Sequence, residues 1–208
     1  MSSIIFDIYF FKNVLSIFFT GCVIKIMDDY VDQDYDALIG KYNIVKLMGY
    51  GAVLYGLLFF SVACALNVSI AVSLFLASFA IGMVGVLCVK MPSGFFGYIE
   101  SIAVLIIGII LVGSKAMISA VFVMASIQLL DDYIDLQCDM SSKKNLAFIL
   151  GKMECIILAI ILFLIAFYFE PEKSIIIIVS APLVTSLFSF LSNKLNDYTK
   201  MEEAPDGF

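Results

Sequence analysis

Residues 26–36 read IMDDYVDQDYD and residues 129–139 read LLDDYIDLQCD, and each stretch ends a long apolar segment. The two align at a constant offset of 103 residues, which matches Asp28, Asp29, Tyr30, Asp32 and Asp36 to Asp131, Asp132, Tyr133, Asp135 and Asp139. Asp28, Asp32 and Asp36 are spaced i, i+4, i+8, as are Asp131, Asp135 and Asp139, so on a helix each trio forms one carboxylate stripe. Nine of the 18 acidic residues lie in these two short segments.

The surrounding chain is hydrocarbon-like. Hydrophobic residues make up 62% of it, the mean hydropathy is +1.07, and apolar runs of about twenty residues recur from end to end. These features predict an all-α membrane protein, one bundle of about seven transmembrane helices near 5–29, 44–66, 68–89, 96–113, 116–137, 148–169 and 174–193. Residues 1–208 read as a single integral membrane domain whose polar ending, about 194–208, is a solvated tail. The first span lacks a basic n-region and a small-residue cleavage site, and it runs directly into the first acidic segment, so it is not expected to be a cleaved leader.

Counting crossings puts the C-terminal ends of spans one and five on one side of the bilayer. That side also receives Lys41, Lys46, Lys90, Lys143, Lys144, Lys194 and Lys200, against Lys115 and Lys173 opposite. The excess of lysine predicts that the acidic side of this multi-pass cell-membrane protein is cytoplasmic. An offset of four spans keeps the two motif helices parallel, which favours two halves related by an axis along the membrane normal. The glycines at 49, 51, 56, 82, 85, 108 and 113 fall within or at the ends of spans and suit close helix packing. Cys22, Cys64, Cys88, Cys138 and Cys155 have no C-x-x-C spacing and read as packing residues. All 12 basic residues are lysines and there is no His or Trp, so no imidazole base and no guanidinium clamp is available. No nucleic-acid partner is expected of a chain with net charge −6.

Solvated helix caps do not account for the acidic stripes. Asp is a poor helix former, and a carboxylate near a helix C-terminus opposes the macrodipole at roughly 0.3–1 kcal/mol each. Stacked carboxylates also repel one another unless cations fill the site. Mg²⁺ fits, as a hard cation held by carboxylates, substrate phosphates and water. The expected metal ligands are Asp28, Asp29, Asp32, Asp36, Asp131, Asp132, Asp135 and Asp139, with Asp28, Asp32, Asp131 and Asp135 central to catalysis. Two or three ions would reverse the sign of the site and let it accept a diphosphate. Lys41, Lys143 and Lys144, just beyond the motifs, would reach phosphate oxygens as point charges. A diphosphate at the interface with a hydrocarbon tail among apolar helices describes a prenyl diphosphate, and aromatic faces would stabilise an allylic cation by up to about 2 kcal/mol each.

These residues resemble the UbiA superfamily of intramembrane prenyltransferases, whose members carry an N/D-D-x-x-D-x-x-x-D motif on one helix and a D-x-x-x-D-type motif on another. Asp28-Asp29-x-x-Asp32-x-x-x-Asp36 and Asp131-x-x-x-Asp135-x-x-x-Asp139 stand in those places, and SSKKNLAFILGK, 141–152, looks like the family's basic loop and Leu-x-x-x-Leu-Gly segment. The resemblance covers nearly the whole chain. It implies Mg²⁺-dependent ionisation of an allylic diphosphate, followed by prenyl transfer to an acceptor or, as in the UbiA-type terpene cyclases, by cyclisation without one. Members typically have nine spans with the first motif on the second. This chain therefore reads as a shortened form lacking the family's first and last helices, which predicts a wide lateral opening to lipid or closure by a second subunit. Asp28 replaces the commoner Asn, and the Arg often found after the first motif is absent, leaving Lys41 as the nearest basic residue.

Overall fold

A computed structural model describes residues 2–39, 43–82, 87–138 and 150–203. Its helices are α1 (Ser2–Ile39), the short α2 (Ile44–Met48), α3 (Gly51–Gly82), α4 (Gly97–Val112), α5 (Ser114–Cys138), α6 (Lys152–Phe169) and α7 (Pro171–Glu203). Five of them are long and apolar enough to cross a bilayer, and α4 is a shorter apolar helix.

The difference from the seven expected spans lies mainly in α3. Asn67 interrupts it with extended backbone, φ −156° and ψ 101°. The rings of Phe60 and Phe75 then meet at 4.9 Å, whereas fifteen residues of straight helix would separate them by about 22 Å. So α3 folds back at Asn67 into two arms, 51–66 and 68–82, in place of the expected spans 44–66 and 68–89. Each arm is ~22–24 Å long, less than the ~30 Å of a hydrocarbon core. Residues 44–48 leave the expected second span because Asn43 caps a separate turn, its side chain accepting from Val45 N–H, and Gly49 ends that turn at a positive φ of 50°. At the other extreme, α1 continues as helix through the whole first motif.

Buried positions recur at the same offset of 103 well beyond the motifs. On α1 and α5 they are Ser16 and Ser119, Ile17 and Ala120, Thr20 and Val123, Val23 and Ser126, Ile26 and Leu129. On the first arm and α6 they include Ala52 and Cys155, Ala63 and Ala166; on the second arm and α7, Ala71 and Ser174, Leu74 and Ile177. The break at Asn67 matches Glu170, which joins α6 to α7. The chain is thus a three-helix unit, α1 with the two arms of α3, repeated as α5, α6 and α7, with α4 between.

Each break is tied to the first helix of its own unit at matching positions. Asn67 Nδ2 donates to Asn13 Oδ1 at 2.9 Å, and Lys173 Nζ, paired with Glu170 at 2.9 Å, donates to the carbonyl of Ala116, which is Asn13 plus 103. Lys173 also donates to Ser73 Oγ at 3.2 Å and so joins the two units. The starts of α1 and α5 therefore share the end of the bundle that holds the breaks. From Asn13 to Asp28 and from Ala116 to Asp131 is the same fifteen residues, ~22 Å of helix, so both acidic segments leave the bundle at the opposite end.

The seam between α1 and α7 is not a full-height opening. Cys22 and Ile26 pack with Val184 and Phe188 there, and a Cβ on Gly21 would stand 3.2 Å from Val184. The half away from the acidic end is open, as a groove of about 530 Å³ lined by Phe10, Val14, Phe18, Ile175, Val179 and Leu183 among others.

This topology puts positions 50 and 93 on one side and 172 on the other, and the expected accessibility adds the cytoplasmic orientation that the lysine excess predicts. In a variant lacking the five native cysteines, cysteines at Tyr50 and Ser93 are expected to be shielded from a membrane-impermeant thiol reagent in intact cells, and one at Glu172 to be labelled. Different accessibility at 50 and 93 would contradict the folded-back α3.

Candidate functional site

The first motif lies on the last turns of α1, and four of its residues are placed differently. Asp28 and Asp32 are exposed, Asp29 is half-buried and Asp36 is buried at 7% exposure. Asp36 accepts from Asn43 Nδ2 at 2.8 Å, and the same amide donates to the carbonyl of Asp29 at 2.6 Å. Asn43 Oδ1 in turn accepts from Val45 N–H at 2.9 Å. One buried amide thus fastens α2 against the acidic end of α1, and the fourth acid of the motif serves as its anchor.

Lys25 stands at the foot of the stripe. Its ammonium is 2.9 Å from Asp29 Oδ1 and 3.3 Å from Asp28 Oδ2, so it lies between both carboxylates of the Asp28-Asp29 pair. At ~100° per residue, positions 25, 29, 32 and 36 fall within about 60° of one another on the helix. Among the described residues Lys25 is therefore in contact with the motif, and sequence reasoning overlooked it. Its signal was present as lysine three and four residues before two aspartates.

The second motif lies on the last described turns of α5. Asp131 is exposed and Asp132 half-buried, and Asp132 Oδ1 accepts from Gln128 Nε2 at 3.2 Å. Gln128 is Lys25 plus 103, and Asp132 is Asp29 plus 103. Both copies thus tie the second acid of the Asp-Asp pair back to the residue one turn earlier, with a charged donor in one copy and a neutral donor in the other. Asp135 is on α5, but its side chain lies outside the described residues, as do Asp139, Lys41, Lys143 and Lys144.

Among the described residues no group of three or more acidic, Cys or His side chains is gathered closely enough to hold a metal ion. In kind the donors suit Mg²⁺, being carboxylate oxygens with no imidazole near. At Asp28 and Asp29 the ammonium of Lys25 already takes the cation position. Cys22 and Cys155 are buried packing residues, and Cys155 Sγ donates to the carbonyl of Leu129 at 3.2 Å, whereas Cys88 is exposed and the side chain of Cys138 lies outside the described residues. No family model, curated protein or solved structure matches this chain.

Asn43→Ala removes the described donor to a buried carboxylate and the cap of α2 together. It is expected to cost about 1–3 kcal/mol in reversible detergent unfolding, and Asn43→Asp, which adds a like charge, more. No loss in either variant would show that the Asn43 bridge does not hold α2.

Proposed function

We propose that this protein is a Mg²⁺-dependent membrane enzyme that ionises an allylic prenyl diphosphate at its two acidic segments and transfers the prenyl group to an acceptor. The observation that carries this reading is the emergence of two matching Asp-rich helix ends, on α1 and α5, at one end of a bundle that is otherwise faced with hydrocarbon side chains. Carboxylates so crowded repel one another, and a site that collects several of them is stable when cations occupy it. The resemblance of the motifs to those of the UbiA superfamily points the same way.

Asp28 and Asp32 from α1, with Asp131 and Asp135 from α5, are the residues proposed to be central in holding Mg²⁺, with Asp29, Asp36, Asp132 and Asp139 beside them. Bound Mg²⁺ would neutralise the departing diphosphate. Lys41, Lys143 and Lys144 are proposed to contact its outer oxygens. The prenyl chain lies toward the apolar bundle, away from water. The C1–O bond then breaks with both electrons leaving on the diphosphate. In transfer, a nucleophilic atom of the acceptor bonds to C1 and its proton is lost to solvent.

The alternative is cyclisation, in which a double bond of the same chain attacks the cation and a neighbouring carbon loses the proton. One feature favours it: with no His or Arg in the chain, the acceptor has few groups to activate it. The acidic end is proposed to face the cytoplasm of the cell membrane.

Asp32→Ala and Asp135→Ala are each expected to abolish diphosphate release from a prenyl diphosphate while leaving a folded protein. Retention of more than about a tenth of the activity, a loss below ~1.4 kcal/mol in transition-state stabilisation, would contradict the assignment. Mass spectrometry of the lipid extract separates a prenylated acceptor from a cyclised hydrocarbon.

A further inference from the structure

The two copies of the acidic unit share their paired acids but differ at their feet, where Lys25 in the first stands in the place of Gln128 in the second. Both side chains reach the second acid of their pair, Asp29 at 2.9 Å and Asp132 at 3.2 Å. The lysine also reaches the first, Asp28, at 3.3 Å. Within this bridge the two arms differ: the Asp29 side chain is 15% exposed and that of Asp28 is 61% exposed. The pair to Asp29 is shorter and more sheltered from water, and therefore less screened. The pair to Asp28 is the one that solvent and solutes reach.

Lys25 lies inside the span Ile8–Asp34 and beside the fully buried Ile26. A lysine there lays its stem along apolar helix surface and brings its charge up to the nearest polar layer. That layer is the acidic stripe.

We propose that Lys25 is the resident countercation of the first acidic motif, bridging Asp28 and Asp29 until a divalent cation takes Asp28, and then turning the freed face of its ammonium to a phosphate oxygen of the substrate. It is a positioning residue of the first copy alone, since Gln128 brings no charge to the second. Lys25 stays on Asp29 throughout and exchanges one carboxylate partner for an anionic oxygen, so its charge is never left unpaired. This role rests on the metal and diphosphate reading given above.

The test uses the whole protein in lipid nanodiscs, with calorimetric titration of Mg²⁺ alone and of inorganic pyrophosphate in saturating Mg²⁺. Lys25→Gln, which gives the first copy the residue that the second has at this position, is expected to tighten Mg²⁺ binding about threefold or more, because a competing cation is lost. It is also expected to weaken pyrophosphate binding about tenfold, as one phosphate contact is gone. Lys25→Arg should hold pyrophosphate within about threefold of the unaltered protein, since it keeps the charge. Gln128→Lys, in which the first copy is untouched, should weaken Mg²⁺ binding by a similar factor, and it decides the matter if Lys25→Gln does not fold. Unaltered protein that binds both ligands, with Lys25→Gln or Gln128→Lys binding them equally well, would overturn the role of Lys25 and leave the metal and diphosphate reading standing. Unaltered protein that binds neither ligand would overturn both.

Discussion

A three-helix unit with one small-residue, buried face cannot bury that face alone, and everything else in this molecule follows from pairing two such units side by side. Because the units are repeated in parallel, whatever the first carries at one end the second carries at the same end. The acidic ends of α1 and α5 meet one membrane surface for that reason, and the breaks at Asn67 and Glu170 meet the other. In a bilayer the pairing is driven by close packing more than by expulsion of water. Small buried residues recur at matching positions of the two units, Ala63 and Ala166 or Ala71 and Ser174. Gly56 lets α1 and α3 approach until a Cβ there would stand 2.7 Å from Met27 Cε.

The two ends of the bundle resolve their polar groups differently. At the end that holds the breaks, charge is matched and enclosed: Lys173, itself 7% exposed, has Glu170, Ser73 and the Ala116 carbonyl as partners. At the acidic end negative charge is in excess, partly answered by Lys25 and by the amides of Asn43 and Gln128. A polar cluster that closes on itself holds a fold together, whereas one that leaves carboxylates facing water invites cations. The contrast between the ends supports placing the chemistry at the acidic one.

Much of this was legible in the sequence. The paired motifs, their helical spacing and their position at the ends of apolar segments stand in the chain itself, and the parity of crossings put them on one face. The full extent of the repeat was not legible, because the buried positions keep their burial but change their side chains, as with Val23 and Ser126 or Thr20 and Val123. A helix face facing a neighbour tolerates a small apolar residue or a serine bonded to a carbonyl equally well, so identity fades where geometry persists. The reversal at Asn67 was read as a boundary between spans, but its tie to Asn13 joins residues 54 apart in the chain. The roles of Asn43 and Lys25 were missed for different reasons. Asn43 acts across seven residues and a change of helix, which no local spacing reveals. Lys25 was hidden by attention to basic residues that follow the motif. The expected opening between α1 and α7 is confined by the packing of Val184 and Phe188 onto α1, which no pattern in the sequence shows.

The central claim is that the two acidic segments form one site for a prenyl diphosphate, and the most direct measurement is turnover by the unaltered protein. Purified protein in lipid is incubated with C10 to C20 prenyl diphosphates, with Mg²⁺ or with excess chelator, first without and then with added lipid acceptors, and inorganic diphosphate is followed over time. The account predicts release that depends on Mg²⁺ for at least one chain length, with a prenylated lipid or a cyclised hydrocarbon in the extract. Absence of release at every chain length, with or without Mg²⁺ and with lipid acceptors supplied, would contradict it.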